Sequence, residues 1–137
     1  MTRAEAWLLH ASTLLVGGTG VVYAWMRYFA KPTDPEALAN HPWQPATQGL
    51  HVVLAPALVF ACGLVWRDHV WTRIRSGYPT RRRSGISLAL VVIPMIASGY
   101  LLQVSGGEPW RAIWIGVHLA ASGGWLLGYA LHQLSPA

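Results

Sequence analysis

His118 and His132 stand fourteen residues apart in one apolar stretch, Trp110 to Leu134, which reads WRAIWIGVHLAASGGWLLGYALHQL. On a helix that interval leaves the two rings roughly 40° apart around the axis and about 21 Å apart along it, so they face nearly the same side at two depths. Two more histidines, His10 and His51, each lie near the start of another apolar stretch. Imidazole is costly at membrane depth and marks function there. One chemistry uses it in pairs: a b-type haem held by two neutral imidazoles, one on each face of the iron, directed inward from helices of a bundle. Two stacked haems need ligands at two depths on one helix, which this spacing offers. Gly123, Gly124 and Gly128 between the two histidines carry no Cβ and let a flat ring or a neighbouring helix come close. The competing reading is that the imidazoles only hydrogen-bond across the bundle and hold helices together.

The composition sets the environment in which this chemistry would work. Of 137 residues, 53% are hydrophobic and only 11% charged, too apolar for an ordinary soluble domain. Helices of about 22 residues are needed to cross a bilayer, so the chain has room for four crossings. The net charge of +5 comes almost entirely from one interhelical segment, which points to membrane topology and lipid headgroups and away from nucleic acid. The single cysteine, Cys62, lies within an apolar run, and no CxxCH occurs. A haem would therefore be held without covalent attachment.

The expected fold is an all-α membrane protein, one domain over residues 1–137 forming a bundle of four transmembrane helices with two b-type haems between them. The helices are expected at about 4–29, 46–70, 84–104 and 110–134. The first is longer than the apolar core of a signal peptide and lacks a clean cleavage site, so it is read as retained. It ends in Tyr23, Trp25, Arg27, Tyr28 and Phe29, an interfacial set. Lys31 to Thr47, with four prolines, is a loop that has room for a helical turn at Asp34 to Ala39. His41 falls within this loop and His69 near the end of the second helix; both are weak candidates for a further haem. Pro56 is expected to bend the second helix, and Pro94 with Gly99 to kink the third and let it pack closely. Arg67 to Arg83 contains six arginines and one acid. It reads as a cytoplasmic loop, which puts both termini inside and the Lys31 to Thr47 loop outside a bacterial inner membrane.

That topology sorts the histidines by depth. His10, early in an outward-going helix, and His132, late in an inward-going one, both fall on the cytoplasmic side. His51 and His118 both fall toward the outer face. The ligand pairs are thus His10 with His132 and His51 with His118. The propionates need water or basic partners; Arg27 and Arg111 are the outer candidates, and Arg3, Arg67 and Arg73 the inner ones.

With WLLHAS, GLHVVLAP, PMIASG and VHLAASGGWLLGYALH falling on successive helices, the chain resembles the four-helix dihaem cytochromes b of the bacterial and nickel-hydrogenase type. This cytochrome b-561 class includes superoxide oxidase and, more distantly, the membrane subunits of hydrogenases and formate dehydrogenases. The resemblance spans nearly the whole chain and implies the same two ligand pairs. It also implies electron transfer across the membrane between the quinone pool and a redox partner, either a dehydrogenase subunit or a periplasmic c-type cytochrome. The chain is shorter than expected for that class and its loops are brief, which favours an electron-carrying subunit without catalytic residues of its own. Its other expected contacts are membrane lipids and a further copy of itself. An alternative is a superoxide:quinone oxidoreductase. Its outer face would offer Arg27, Lys31 and Arg111 beside Asp34 and Glu36, a nearly neutral set that gives little electrostatic steering of an anion.

Overall fold

The computed structural model describes every residue except Thr33, Pro35, Pro136 and Ala137. Its elements are α1 (Arg3–Tyr28), α2 (Gln44–Val65), a π-helical segment (Trp66–Trp71), α3 (Thr72–Arg75), α4 (Arg82–Val104) and α5 (Trp110–Leu134). Among the described residues there is no strand. The chain divides into two compact units, Met1–Val65 and Trp66–Ala137.

In the first unit α1 packs with α2. A capping box starts α1: Thr2 Oγ1 accepts from the backbone N–H of Glu5 at 3.2 Å, and the Thr2 backbone N–H donates to Glu5 Oε2 at 2.7 Å. The Thr-x-x-Glu spacing that makes this possible is visible in the sequence. Inside the apolar helix, Ser12 and Thr19 donate their hydroxyl protons back to Leu8 O and Leu15 O at 2.7 and 2.8 Å. A helix can carry polar groups in this way where no water reaches it. The buried side chains of the pair are mostly small or flexible, among them Ser12, Thr13, Val16 and Met26 on α1 and Ala61 and Cys62 on α2. In the connecting loop Asn40 ties down both helix ends, its Nδ2 donating to Arg27 O at 2.8 Å and its backbone N–H to Gln44 Oε1 at 3.2 Å. The helical turn expected at Asp34 to Ala39 depends on Pro35, which lies outside the described residues. Of its neighbours, Glu36 N–H donates to Asp34 Oδ1 and Ala37 N–H to Asp34 O.

In the second unit α4 and α5 run antiparallel and in register. Ser84 meets His132, and Ser98 meets His118. Between those contacts a Cβ placed on Gly128 would lie 3.2 Å from Leu88, and one on Gly124 would lie 3.7 Å from Val91. The glycines thus let α4 side chains press against the α5 backbone.

Helix limits agree with the sequence to within a few residues, with one correction. The segment expected to be loop from Arg67 is helical as far as Arg75. Nothing between Trp66 and Arg75 breaks a helix, and arginine is a good helix former. The stop comes at Gly77, with φ of 66°, where Tyr78 N–H donates to Arg73 O and Gly77 N–H to Ile74 O. This Schellman ending needs the left-handed conformation that glycine tolerates. The Arg73 guanidinium lies 4.4 Å over the Tyr78 ring and closes the motif.

Among the described residues, three helical runs are long and apolar enough to cross a membrane: Arg3–Tyr28, Gln44–Arg75 and Arg82–Val104. The α5 helix, at 25 residues, has the length but is not one of these three. Large apolar side chains face outward on all four long helices, with Leu14 73%, Val53 74%, Leu90 66% and Leu127 64% exposed. That pattern suits a lipid solvent, where apolar contact with the surroundings carries no penalty.

Candidate functional site

Three of the four predicted ligand histidines are held by the same local device. In the first unit, His51 on α2 reaches α1, where its Nδ1 lies 3.0 Å from Val16 O and 3.2 Å from Thr19 Oγ1. In the second, His118 Nδ1 lies 3.2 Å from both Met95 O and Ser98 Oγ on α4. His132 Nδ1 lies 2.9 Å from Ser84 Oγ, also on α4.

Each hydroxyl is followed in the chain by a glycine, and the imidazole lies over that glycine. A Cβ on Gly20 would stand 2.9 Å from His51 Cε1, one on Gly99 3.2 Å from His118 Cε1, and one on Gly85 3.5 Å from His132 Cε1. The first is closer than side-chain carbons approach one another, the second is tight, and the third is ordinary contact. Thr19-Gly20, Ser84-Gly85 and Ser98-Gly99 therefore form three cradles, each with a hydroxyl for Nδ1 and a bare backbone for the ring edge. The two serine-glycine pairs of α4 are fourteen residues apart, as are the two histidines of α5. Sequence reasoning used the histidine interval and passed over its match on α4, although both are written in the chain.

His10, half-buried on α1, has the Trp7 ring edge-on at 6.1 Å. Seven residues from each of His118 and His132 is Trp125, 7% exposed and the one buried residue of α5. Its ring stacks on Tyr129 at 6.2 Å, and its buried indole N–H has no hydrogen-bond partner among the described residues. The hydroxyl of Thr13, three residues beyond His10 and 2% exposed, is likewise unsatisfied. Buried polar groups of this kind are uncommon and call for a partner.

The remaining candidates divide by location. His41 takes part in starting α2, its Nδ1 accepting from Trp43 N–H at 3.2 Å, and its ring is 6.2 Å from that of Trp25. His69 sits half-buried in the π-helical segment, within electrostatic reach of Arg73 and His132. Arg27 and Arg111 are both exposed, in the last turn of α1 and the first turn of α5. Among the described residues no group of three or more histidine, cysteine or acidic side chains converges to hold a metal ion.

A bis-imidazole haem asks for rings fixed in orientation through the nitrogen that does not meet the iron. The three rings anchored through Nδ1 fit that group in orientation. No family model, curated protein or solved structure matches the chain.

Proposed function

We propose that this chain is an integral membrane dihaem cytochrome b, with α5 as its fourth crossing, that carries electrons between the quinone pool and a redox partner. In this reading the four long helices form one bundle. His10 and His132 hold one haem b and His51 and His118 the other, as their depths in the sequence suggest, with Arg27 and Arg111 beside the outer propionates. The haem iron supplies one-electron redox chemistry when bound. The chain's own groups hold the imidazoles neutral and oriented, keep water away and supply a low dielectric.

The observation that carries the reading is the shared anchoring of His51, His118 and His132 through Nδ1, the arrangement found behind metal-bound imidazoles. The same bonds also join α2 to α1 and α5 to α4, which favours a second reading in which the histidines only fasten helices. Colour separates the two. The full chain purified in mild detergent is expected to show a reduced-minus-oxidised spectrum with b-type bands and a pyridine haemochrome ratio near two haems per polypeptide. A colourless preparation from haem-replete cells sinks the cytochrome reading and leaves the fastening one. Reduction by quinol or a partner supports the electron-carrier role, whereas rapid reduction by superoxide alone would move the assignment to a superoxide:quinone oxidoreductase.

A further inference from the structure

Counting protons around the three cradles assigns a tautomer to the rings. A carbonyl oxygen can only accept, so the 3.0 Å approach of His51 Nδ1 to Val16 O and the 3.2 Å approach of His118 Nδ1 to Met95 O each require a proton on Nδ1. The hydroxyls agree. Thr19 Oγ1 already donates to Leu15 O at 2.8 Å, and Ser98 Oγ to Pro94 O at 2.6 Å. Each hydroxyl has one proton, so its lone pairs face the imidazole N–H. The remaining nitrogen, Nε2, then carries the lone pair. In His118 it lies 3.5 Å from Ser122 Oγ, a hydroxyl able to donate to it.

His132 shares the hydroxyl and the glycine but has no carbonyl at Nδ1 among the described residues. Its Nδ1 meets only the Ser84 hydroxyl in this cradle, at 2.9 Å, while that hydroxyl donates to Arg81 O at 3.1 Å. Among the described residues, the direction of one hydroxyl proton sets this tautomer. The Ser84 rotor can point either way, whereas a carbonyl cannot reverse its role.

We propose that Val16 O and Met95 O lock His51 and His118 as Nδ1–H imidazoles, while Ser84 alone biases His132 toward the same form, so that all three present a lone pair on Nε2 for a metal. Thr19, Ser84 and Ser98 are positioning residues in this scheme, acting through the ring and never touching the iron. The tautomers stand on the bonds just described; their use as ligand geometry rests on the haem reading.

The test is nitrogen-15 NMR of the full chain, labelled at histidine and produced without haem supply, because a metal on Nε2 would force the proton onto Nδ1 and hide the effect. Protonated and lone-pair nitrogens resonate far apart, so each ring reports its own tautomer. His51 and His118 are expected as pure Nδ1–H forms, and Ser98→Ala is expected to leave His118 unchanged. Ser84→Ala is expected to turn His132 into a mixture of both tautomers, and Ser84→Thr to restore the single form. A proton on Nε2 of His51 or His118, or a His132 indifferent to Ser84→Ala, overturns the proposal. In the pigmented protein, loss of the bond to Nδ1–H weakens imidazole as a donor to ferric iron. Ser84→Ala should then raise the midpoint potential of one haem and leave the other in place. Correct tautomers in a chain that never takes up haem would refute the haem reading and leave the tautomer assignment standing.

Discussion

Gly20→Ala is the sharpest probe of the cradles, because the structure sets both its sign and its size. The added Cβ would stand 2.9 Å from His51 Cε1, roughly half an ångström inside the closest comfortable carbon contact. The imidazole lies at the end of a side chain and can swing away, but only by stretching its bonds to Val16 O and Thr19 Oγ1, now 3.0 and 3.2 Å. Loss of two ordinary hydrogen bonds costs about 1–3 kcal/mol. Alanine returns up to about 1 kcal/mol of helix propensity over glycine. Gly18→Ala on the same helix has the same propensity gain and meets nothing within 4 Å. The two variants should therefore differ in unfolding free energy by about 1–3 kcal/mol, with Gly20→Ala the less stable. Reversible unfolding in mixed detergent micelles measures both directly. In the pigmented protein Gly20→Ala should also shift or remove the absorbance of one haem while Gly18→Ala does not. Equal stability of the two variants would mean that His51 does not rest on the α1 backbone, and the cradle would fall with it.

Other expected outcomes follow from the same contacts. Gly99→Ala should weaken the pigmented form less than Gly20→Ala, and Gly85→Ala least, in the order of the 2.9, 3.2 and 3.5 Å approaches; a reversed order in haem content would contradict the geometry. His118→Ala and His51→Ala should remove one and the same haem, and His10→Ala and His132→Ala the other, as read from difference spectra; loss of the same haem from His10 and His118 variants would show the pairing to be wrong. Trp125→Phe removes an unsatisfied buried N–H, worth about 1 kcal/mol, but leaves a cavity of similar cost, so the haem-free chain should keep its stability to within about 1 kcal/mol, whereas loss of haem from that variant would show that the indole serves the cofactor. Topology reporters in the Ser76 to Arg81 turn and in the Lys31 to Thr47 loop should register opposite sides of the membrane, the first cytoplasmic; reporters on one side would remove the depth pairing.

The long helices were legible in the sequence because unbroken apolar runs can satisfy their backbone only internally. Helical structure through Arg75 was not, since six arginines between Arg67 and Arg83 carry a strong topological signal that masks their helix propensity. The Gly77 ending was readable in retrospect as a glycine after a cationic last turn. The histidines were picked out by type and spacing, and three of them do share one mode of anchoring. Their partners were missed for a physical reason. Serine and threonine in apolar helices normally bond back to their own backbone, as Ser12 does, and nothing in a single helix tells which hydroxyl also faces a neighbour. Only the fourteen-residue interval repeated on α4 carried that information. Gly99 was expected to permit close packing, and the group it admits is the imidazole of His118.

Equal intervals on α4 and α5 make the hairpin intolerant of indels. One residue inserted between Ser84 and Ser98 would turn the far half of α4 by about 100° and slide it by about 1.5 Å, so that only one imidazole could keep its hydroxyl. An insertion in each helix would advance both far ends together, yet would still swing the second ring to another side of α5. Side chains away from the cradles and from the glycines facing α4 can change along this seam, but the distance between its two fastenings cannot drift, and any descendant that keeps both histidines in place must keep the count between them.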